Sequence, residues 1–279
     1  MLRSHVRLED IEVAYLHAEH EGAPKVVFVH GMAETAESCW LSQLVALQGD
    51  FDCYAYDIRG HGGTTLGDAD ATLEQLGSDL LEFLRGVTGP AVVVGFSLGA
   101  TISLWAAAHS TGLILHVVAV GGSSVISSRV VEVFTSKADM IRRRDLLALH
   151  EEMRAEVTAM FSRHPERAEA YGARRIAAIG EGDGYANAAL AMAGMRERPL
   201  QPDLRKIRCT VDIVGGGDDA WCPPRASAIL LEGFDGGDVR FTEIQGAGHL
   251  MTIDTPEALS SLLRQVIDPP AGPARELAS

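Results

Sequence analysis

The chain of 279 residues is 47% hydrophobic and 22% charged, the composition of a folded globular protein rather than a disordered or fibrous one. Its 24 basic against 38 acidic side chains leave a net charge of −14, which argues against a protein drawn to nucleic acid or an anionic membrane by clustered Lys and Arg. An aromatic content of 6% is too sparse for base-stacking platforms.

The first residues, through Gly22, alternate apolar and charged side chains without an apolar centre, so no secretory signal is expected. Val6 and Leu8, then Ile11, Val13 and Tyr15, alternate with period two around Glu9-Asp10 and predict an antiparallel hairpin. Val26 to Val29 is a continuous apolar run, suited to a strand buried on both faces. A helix is predicted over 36–48, a strand from Phe51 to Asp57, and a turn at Arg59-Gly60-His61-Gly62-Gly63. Leu73, Leu76, Leu80, Leu81 and Leu84 then recur at helical spacing. Ala91 to Val94 predicts another buried strand, followed by Gly95-Phe96-Ser97-Leu98-Gly99 and a small-residue helix to about His109. Leu115 to Val120 makes the next strand and stops at Gly121-Gly122. Fully apolar strands alternating with amphipathic helices predict an α/β fold, a mostly parallel sheet with helices on both faces.

From residue 124 to residue 200 the pattern is helical only, with Arg142-Arg143-Arg144 and Glu151-Glu152 expected on wet faces. Alternation resumes with a strand at Val211 to Val214, a helix from Pro224 to Leu231, a strand from Val239 to Ile244 and a helix after Thr255. The tail from Asp268, carrying Pro269, Pro270 and Pro273, is expected to fray. The division is therefore a core of 1–123 and 201–279 with a helical cap, 124–200, inserted in it. The cap segment holds twelve basic and eleven acidic side chains, which leaves −15 on the remainder. That acidity solvates the scaffold and is no sign of a cationic substrate.

No run of about 18 apolar residues predicts a membrane span. Cys39, Cys53, Cys209 and Cys222 have no CxxC pairing, the pattern of reduced thiols in a cytoplasmic protein. The ten histidines form no HExxH-type box, so neither metal nor cofactor is expected.

Three loop residues can carry chemistry. Ser97 lies between an apolar strand and a small-residue helix, where a tight turn exposes its hydroxyl and the helix N-terminus favours developing negative charge. A serine hydroxyl needs a base, and His249 follows the last strand in the glycine-flanked run Gly246-Ala247-Gly248. The base needs an orienting carboxylate, and Asp218 and Asp219 both follow the strand at Val211; local physics does not choose between them. All three positions lie beyond the carboxyl ends of predicted parallel strands, where open α/β sheets build their sites.

In this arrangement the chain resembles the α/β-hydrolase superfamily over roughly residues 5–267. The matching pieces are Val29-His30-Gly31, Asp57-x-Arg59-Gly60-His61-Gly62, the Gly95–Gly99 elbow, Gly216-x-x-Asp219-x-x-x-Pro223, and Gly248-His249 with Pro256-Glu257 behind it. The resemblance implies Ser97 as nucleophile, His249 as general base then acid and Asp219 as orienter. It also implies an oxyanion hole from the amides of Leu98 and Met32, with His30 structural. The implied activity is that of a serine esterase: hydrolysis of a small or medium ester, lactone or thioester through an acyl-enzyme. Its substrate would be a small acyl compound with an apolar body, in a pocket walled by Met32, Phe96, Leu98, Trp221, Leu250 and cap residues. The alternative on the same triad is a biosynthetic tailoring enzyme of natural-product pathways, acting by acyl elimination, carbon–carbon hydrolysis or acyl transfer. A non-catalytic receptor is disfavoured by the intact Ser97, Asp219 and His249. Nothing in the sequence sets an oligomeric state.

Overall fold

The continuous apolar runs become the middle of an eight-stranded sheet in a computed structural model that describes residues 1–267. The fraying expected from Asp268 onward lies outside the described residues. Strands β1 (Leu2–Leu8) and β2 (Ile11–Ala18) form the predicted hairpin, with Leu8 opposite Ile11. In chain order come β3 (Lys25–Val29), α1 (Ala36–Leu47), β4 (Asp52–Tyr56), α2 (Leu73–Phe83), β5 (Ala91–Phe96), α3 (Leu98–His109) and β6 (Ile114–Val120). Four helices then intervene: α4 (Ser128–Arg142), α5 (Leu146–Met160), α6 (Ala168–Ile179) and α7 (Asp183–Gly194). The alternation closes with β7 (Thr210–Gly216), α8 (Pro224–Glu232), β8 (Val239–Ile244), α9 (Met251–Asp254) and α10 (Pro256–Ile267).

The strand order is β1-β2-β4-β3-β5-β6-β7-β8, with β2 antiparallel to both neighbours and every pairing from β4 to β8 parallel. This is the mostly parallel sheet with a helical insertion that the sequence predicts. Successive side chains of a strand point to opposite faces, so each apolar run feeds two cores. Val27, Val29, Val93, Val117 and Ile213 pack with Leu76 and Leu80 of α2 on one face. Val26, Phe28, Val94, Val118 and Val214 pack with Trp40 and Leu44 of α1 and Leu259 of α10 on the other. The chain steps from β3 to β4 in one direction and returns past β3 to β5. The loops after β3 and β5 therefore diverge and leave a crevice at the carboxyl edge.

Arg59, from the predicted turn, is a scaffold residue. It is 3% exposed, with Nε and Nη2 donating to Asp79 at 2.8 and 2.6 Å and Nη1 and Nη2 donating to Asp10 at 2.6 and 2.9 Å. The insertion is tied to the sheet domain by polar contacts. The amide of Gly62 donates to Ala178 O (3.2 Å) and that of Ala71 to Asn187 Oδ1 (2.7 Å). Asp254 of α9 accepts the amides of Ser162, Arg163 and His164, each at 2.8 Å, and so grips the segment that follows α5. Arg142, Arg143, Arg144, Glu151 and Glu152 are exposed, as expected. The one-turn helix α9 is unpredicted, because four residues are too few for a periodic pattern to register. Among the described residues no helix is long and apolar enough to cross a membrane.

Candidate active site

Ser97 sits between the end of β5 and the start of α3 with φ 53° and ψ −115°, a left-handed conformation that costs a non-glycine residue about 1–3 kcal/mol. The surroundings enforce it. The Ser97 amide is held by Val120 O at 2.8 Å, and the turn is so tight that its flanks must be glycine. A Cβ on Gly95 would stand 2.2 Å from Gly99 O, and one on Gly99 would stand 2.1 Å from Val29 O. These are backbone atoms, with no flexible end to move aside.

The serine hydroxyl meets its partners across the sheet edge. His249 Nε2 lies 3.0 Å from Ser97 Oγ, and His249 Nδ1 lies 2.8 Å from Asp219 Oδ2. The other Asp219 oxygen accepts the amides of Trp221 and Cys222, both at 2.8 Å. Asp219 is 2% exposed. Burial alone would raise its pKa, but the facing His249 and the two amides outweigh that and hold the carboxyl below the usual carboxylate range. The neighbouring Asp218 is exposed, and the carboxylate that meets the imidazole is that of Asp219.

Met32 and Leu98 both line the cavity around Ser97. Leu98 opens α3, where an amide has no intrahelical acceptor. The loop carrying Met32 is braced from below. Glu34 accepts the Gly31 amide at 3.1 Å, and Asp57 accepts those of Ala36 (2.7 Å) and Gly63 (2.9 Å), joining the loops after β3 and β4. His30 lies beneath them, its Nδ1 2.7 Å from Gly31 O and its Nε2 accepting the Ile58 amide at 2.9 Å. A ring that accepts at one nitrogen must stay neutral. Burial pulls its pKa down to about 4, and that of the adjacent His61 down to about 3. Below the ordinary histidine pKa of about 6.5 the unfolded chain takes up protons that the folded chain refuses, so stability falls as pH falls. Urea denaturation between pH 6.5 and pH 4 should show uptake of up to about two protons on unfolding, roughly 2.7 kcal/mol per pH unit at most. A midpoint that is flat across this window contradicts the assignment.

The cavity above Ser97 is small, about 60 Å³ to the centres of water-sized spheres, which is room for a few waters or a short acyl chain. Phe96, Trp221 and Leu250 lie on its wall, as the sequence suggests, with Met160 and Met192 from the insertion. The remaining wall is charged and was not anticipated. Lys137, Glu156, Arg175 and Glu34 all border the same space, with the phenols of Tyr171 and Tyr185. Lys137, 1% exposed, is paired with Glu156, and Tyr171 donates its hydroxyl to Glu34. Burial pushes the Glu34 carboxyl above its ordinary pKa, against the opposing effects of Tyr171 and Arg175, and pulls Lys137 below its own despite Glu156. A sequence signal for two of these existed. Lys137 falls among Phe134, Ala138 and Ile141 on the buried stripe of α4, and Arg175 among Tyr171, Gly172 and Ala178 on that of α6. A charge at a core position of an amphipathic helix needs a buried partner or a ligand.

Comparison with known proteins follows the same lines. The model of the alpha/beta hydrolase family matches residues 26–262. The chain is 23% identical over 262 residues to 3-oxoadipate enol-lactonase 2 of Acinetobacter baylyi, covering 93% of this chain and 94% of that protein. It is 26% identical over 251 residues to a putative carbamate hydrolase, RutD, of Enterobacter cloacae, covering 87% and 91%. The crystal structure of the enol-lactonase from Burkholderia xenovorans LB400 superposes with a TM-score of 0.83 at 22% identity, over 95% of this chain and 99% of that one.

Proposed function

The chain belongs to the alpha/beta hydrolase family, and from that premise we propose that it is a serine hydrolase of small or medium esters, lactones or thioesters, acting through an acyl-enzyme on Ser97. The observation that carries this reading is the unbroken chain Ser97 Oγ–His249 Nε2 (3.0 Å) and His249 Nδ1–Asp219 Oδ2 (2.8 Å), hung from a serine held at positive φ. A relative named for a lactone supports the substrate class.

In this mechanism Ser97 Oγ attacks the carbonyl carbon while its proton passes to His249 Nε2. Asp219 holds Nδ1–H and stabilises the imidazolium. The tetrahedral oxyanion is taken by the amides of Leu98 and Met32, each donor contributing on the order of 3 kcal/mol to the transition state. Collapse expels the alcohol or thiol, which leaves with the proton from His249. Water then attacks the acyl-enzyme with His249 as base, and the carboxylic acid departs as Ser97 regains its proton. The helices α4–α7, within residues 124–200, act as the cap that closes the acyl pocket.

A fluorophosphonate probe followed by peptide mass spectrometry tests the assignment. Modification is expected at Ser97, should vanish in Ser97→Ala, and should accompany a burst of p-nitrophenol from short p-nitrophenyl esters. A label on another serine, with ester turnover intact in Ser97→Ala, overturns it.

A further inference from the structure

One cation of the cavity wall has no carboxylate in contact with it among the described residues. Lys137 is matched by Glu156. Arg175, 7% exposed, has no carboxylate within 4.0 Å among the described residues. Its Nη1 reaches only Met160 Sδ at 3.4 Å, its Nη2 reaches Met32 O at 3.4 Å, and its Nε is buried with no hydrogen-bond partner. A guanidinium has five N–H donors in a planar fork that matches a carboxylate, and here that fork is nearly idle.

Glu34 is the only other candidate counter-charge on this wall, and it is committed elsewhere. Its oxygens take the Tyr171 hydroxyl and the Gly31 amide, both neutral donors, and no hydrogen bond joins it to Arg175. Arg175 therefore acts on Glu34 only through its field, without a contact within 4.0 Å. A buried cation left without a partner costs several kcal/mol. Evolution tolerates such a cost where a ligand supplies the missing charge. The Nη2–Met32 O contact places the fork beside the loop that carries Met32, within the same cavity as Ser97 and His249.

We propose that Arg175 is the receptor for a carboxylate on the substrate's acyl side, so that the enzyme's substrates are esters or lactones of dicarboxylic acids. The inference rests on the hydrolase reading of Ser97 for turnover, though the anion site itself does not require it. Arg175 is then a specificity residue: it orients the acyl chain by a bidentate pair at its far end while Ser97 attacks the near end. On this reading the substrate carries a charge at the far end of the apolar body expected from the sequence.

Mono-p-nitrophenyl glutarate and p-nitrophenyl pentanoate have acyl chains of equal length and differ by a terminal carboxylate in place of a methyl. The wild-type enzyme should favour the glutarate ester at least about tenfold in kcat/KM, a step worth about 1.4 kcal/mol. In Arg175→Met that ratio should fall to one or below, and in Arg175→Lys, which keeps the charge and loses the fork, it should lie between. A wild-type ratio near one, or a ratio unmoved by either substitution, overturns the proposal. A second measurement is independent of turnover. Titration calorimetry of glutarate into Ser97→Ala should show saturable binding that is lost on adding Arg175→Met; no binding, or binding that survives, overturns it equally. If neither ester is hydrolysed while glutarate binding depends on Arg175, the hydrolase reading fails and the anion site stands. If both esters are hydrolysed alike and glutarate does not bind, the reverse holds.

Discussion

Asp219→Asn is expected to lower kcat about 10⁴-fold with little change in KM, while Asp218→Asn stays within about twofold of wild type. The size follows from how Asp219 is held. Its Oδ1 accepts two amides, from Trp221 and Cys222, and only an oxygen can do so. The amide oxygen of an asparagine must therefore occupy that position, which turns its NH₂ toward His249 Nδ1, where Oδ2 of the aspartate now sits 2.8 Å away. An NH₂ there donates to Nδ1 and places the imidazole proton on Nε2. A protonated Nε2 cannot accept from Ser97 Oγ, so the nucleophile loses its base although every atom stays near its original place. Steady-state kinetics on a p-nitrophenyl ester gives the split between kcat and KM, and the rate of fluorophosphonate labelling at Ser97 should fall in parallel. Asp218 is solvent-exposed, and among the described residues only its backbone amide is engaged, with Ala247 O at 2.9 Å. A large loss in Asp218→Asn with activity kept in Asp219→Asn would move the orienting role to Asp218.

The architecture was legible because burial on two faces leaves continuous apolar runs. Val26–Val29, Ala91–Val94 and Val211–Val214 announced the central strands; the loops beyond the second and third of these carried Ser97 and Asp219, and His249 follows β8 at the sheet edge. What could not be read was which insertion residues face the site. That depends on how α4 to α7 pack over the sheet, and their summed charge, nearly neutral, concealed a buried cluster of opposite charges. Lys137 and Arg175 were visible as charges on apolar stripes, but the stripe alone does not say whether the partner is a neighbouring helix or a ligand. Glu34 gave no signal. It stands in a loop, and the hydroxyl that pairs with it comes from Tyr171 of α6, 137 residues further along the chain. The Asp-x-Arg-Gly-x-Gly stretch shows the converse: it was readable as part of the family pattern, yet its arginine and aspartate serve the scaffold.

That arginine supplies the largest expected stability effect. Arg59→Met should destabilise the protein by about 3–5 kcal/mol near neutral pH, because it leaves two carboxylates without the cation that holds them. The two behave differently with pH. In the wild type, hydrogen bonds from Arg59 take Asp10 down to about 2, so its contribution is present above the unfolded carboxylate pKa of about 3.9 and is lost as pH falls through 2. Asp79 is more deeply buried, and burial holds its pKa above the ordinary value even with Arg59 bound to it. Without Arg59 that pKa rises further, and the folded variant keeps a proton on Asp79 that the unfolded chain has released. Stability of the variant then declines as pH rises toward the folded pKa of Asp79. The gap between wild type and variant should accordingly be smaller at pH 5 than at pH 8. Urea midpoints at the two pH values check the sign, and Asp79→Asn in the Arg59→Met background should recover part of the loss at pH 8 and little at pH 5. A gap that is equal at both pH values, or that widens in acid, would show that the cost lies in lost packing of the arginine stem rather than in the stranded carboxylate.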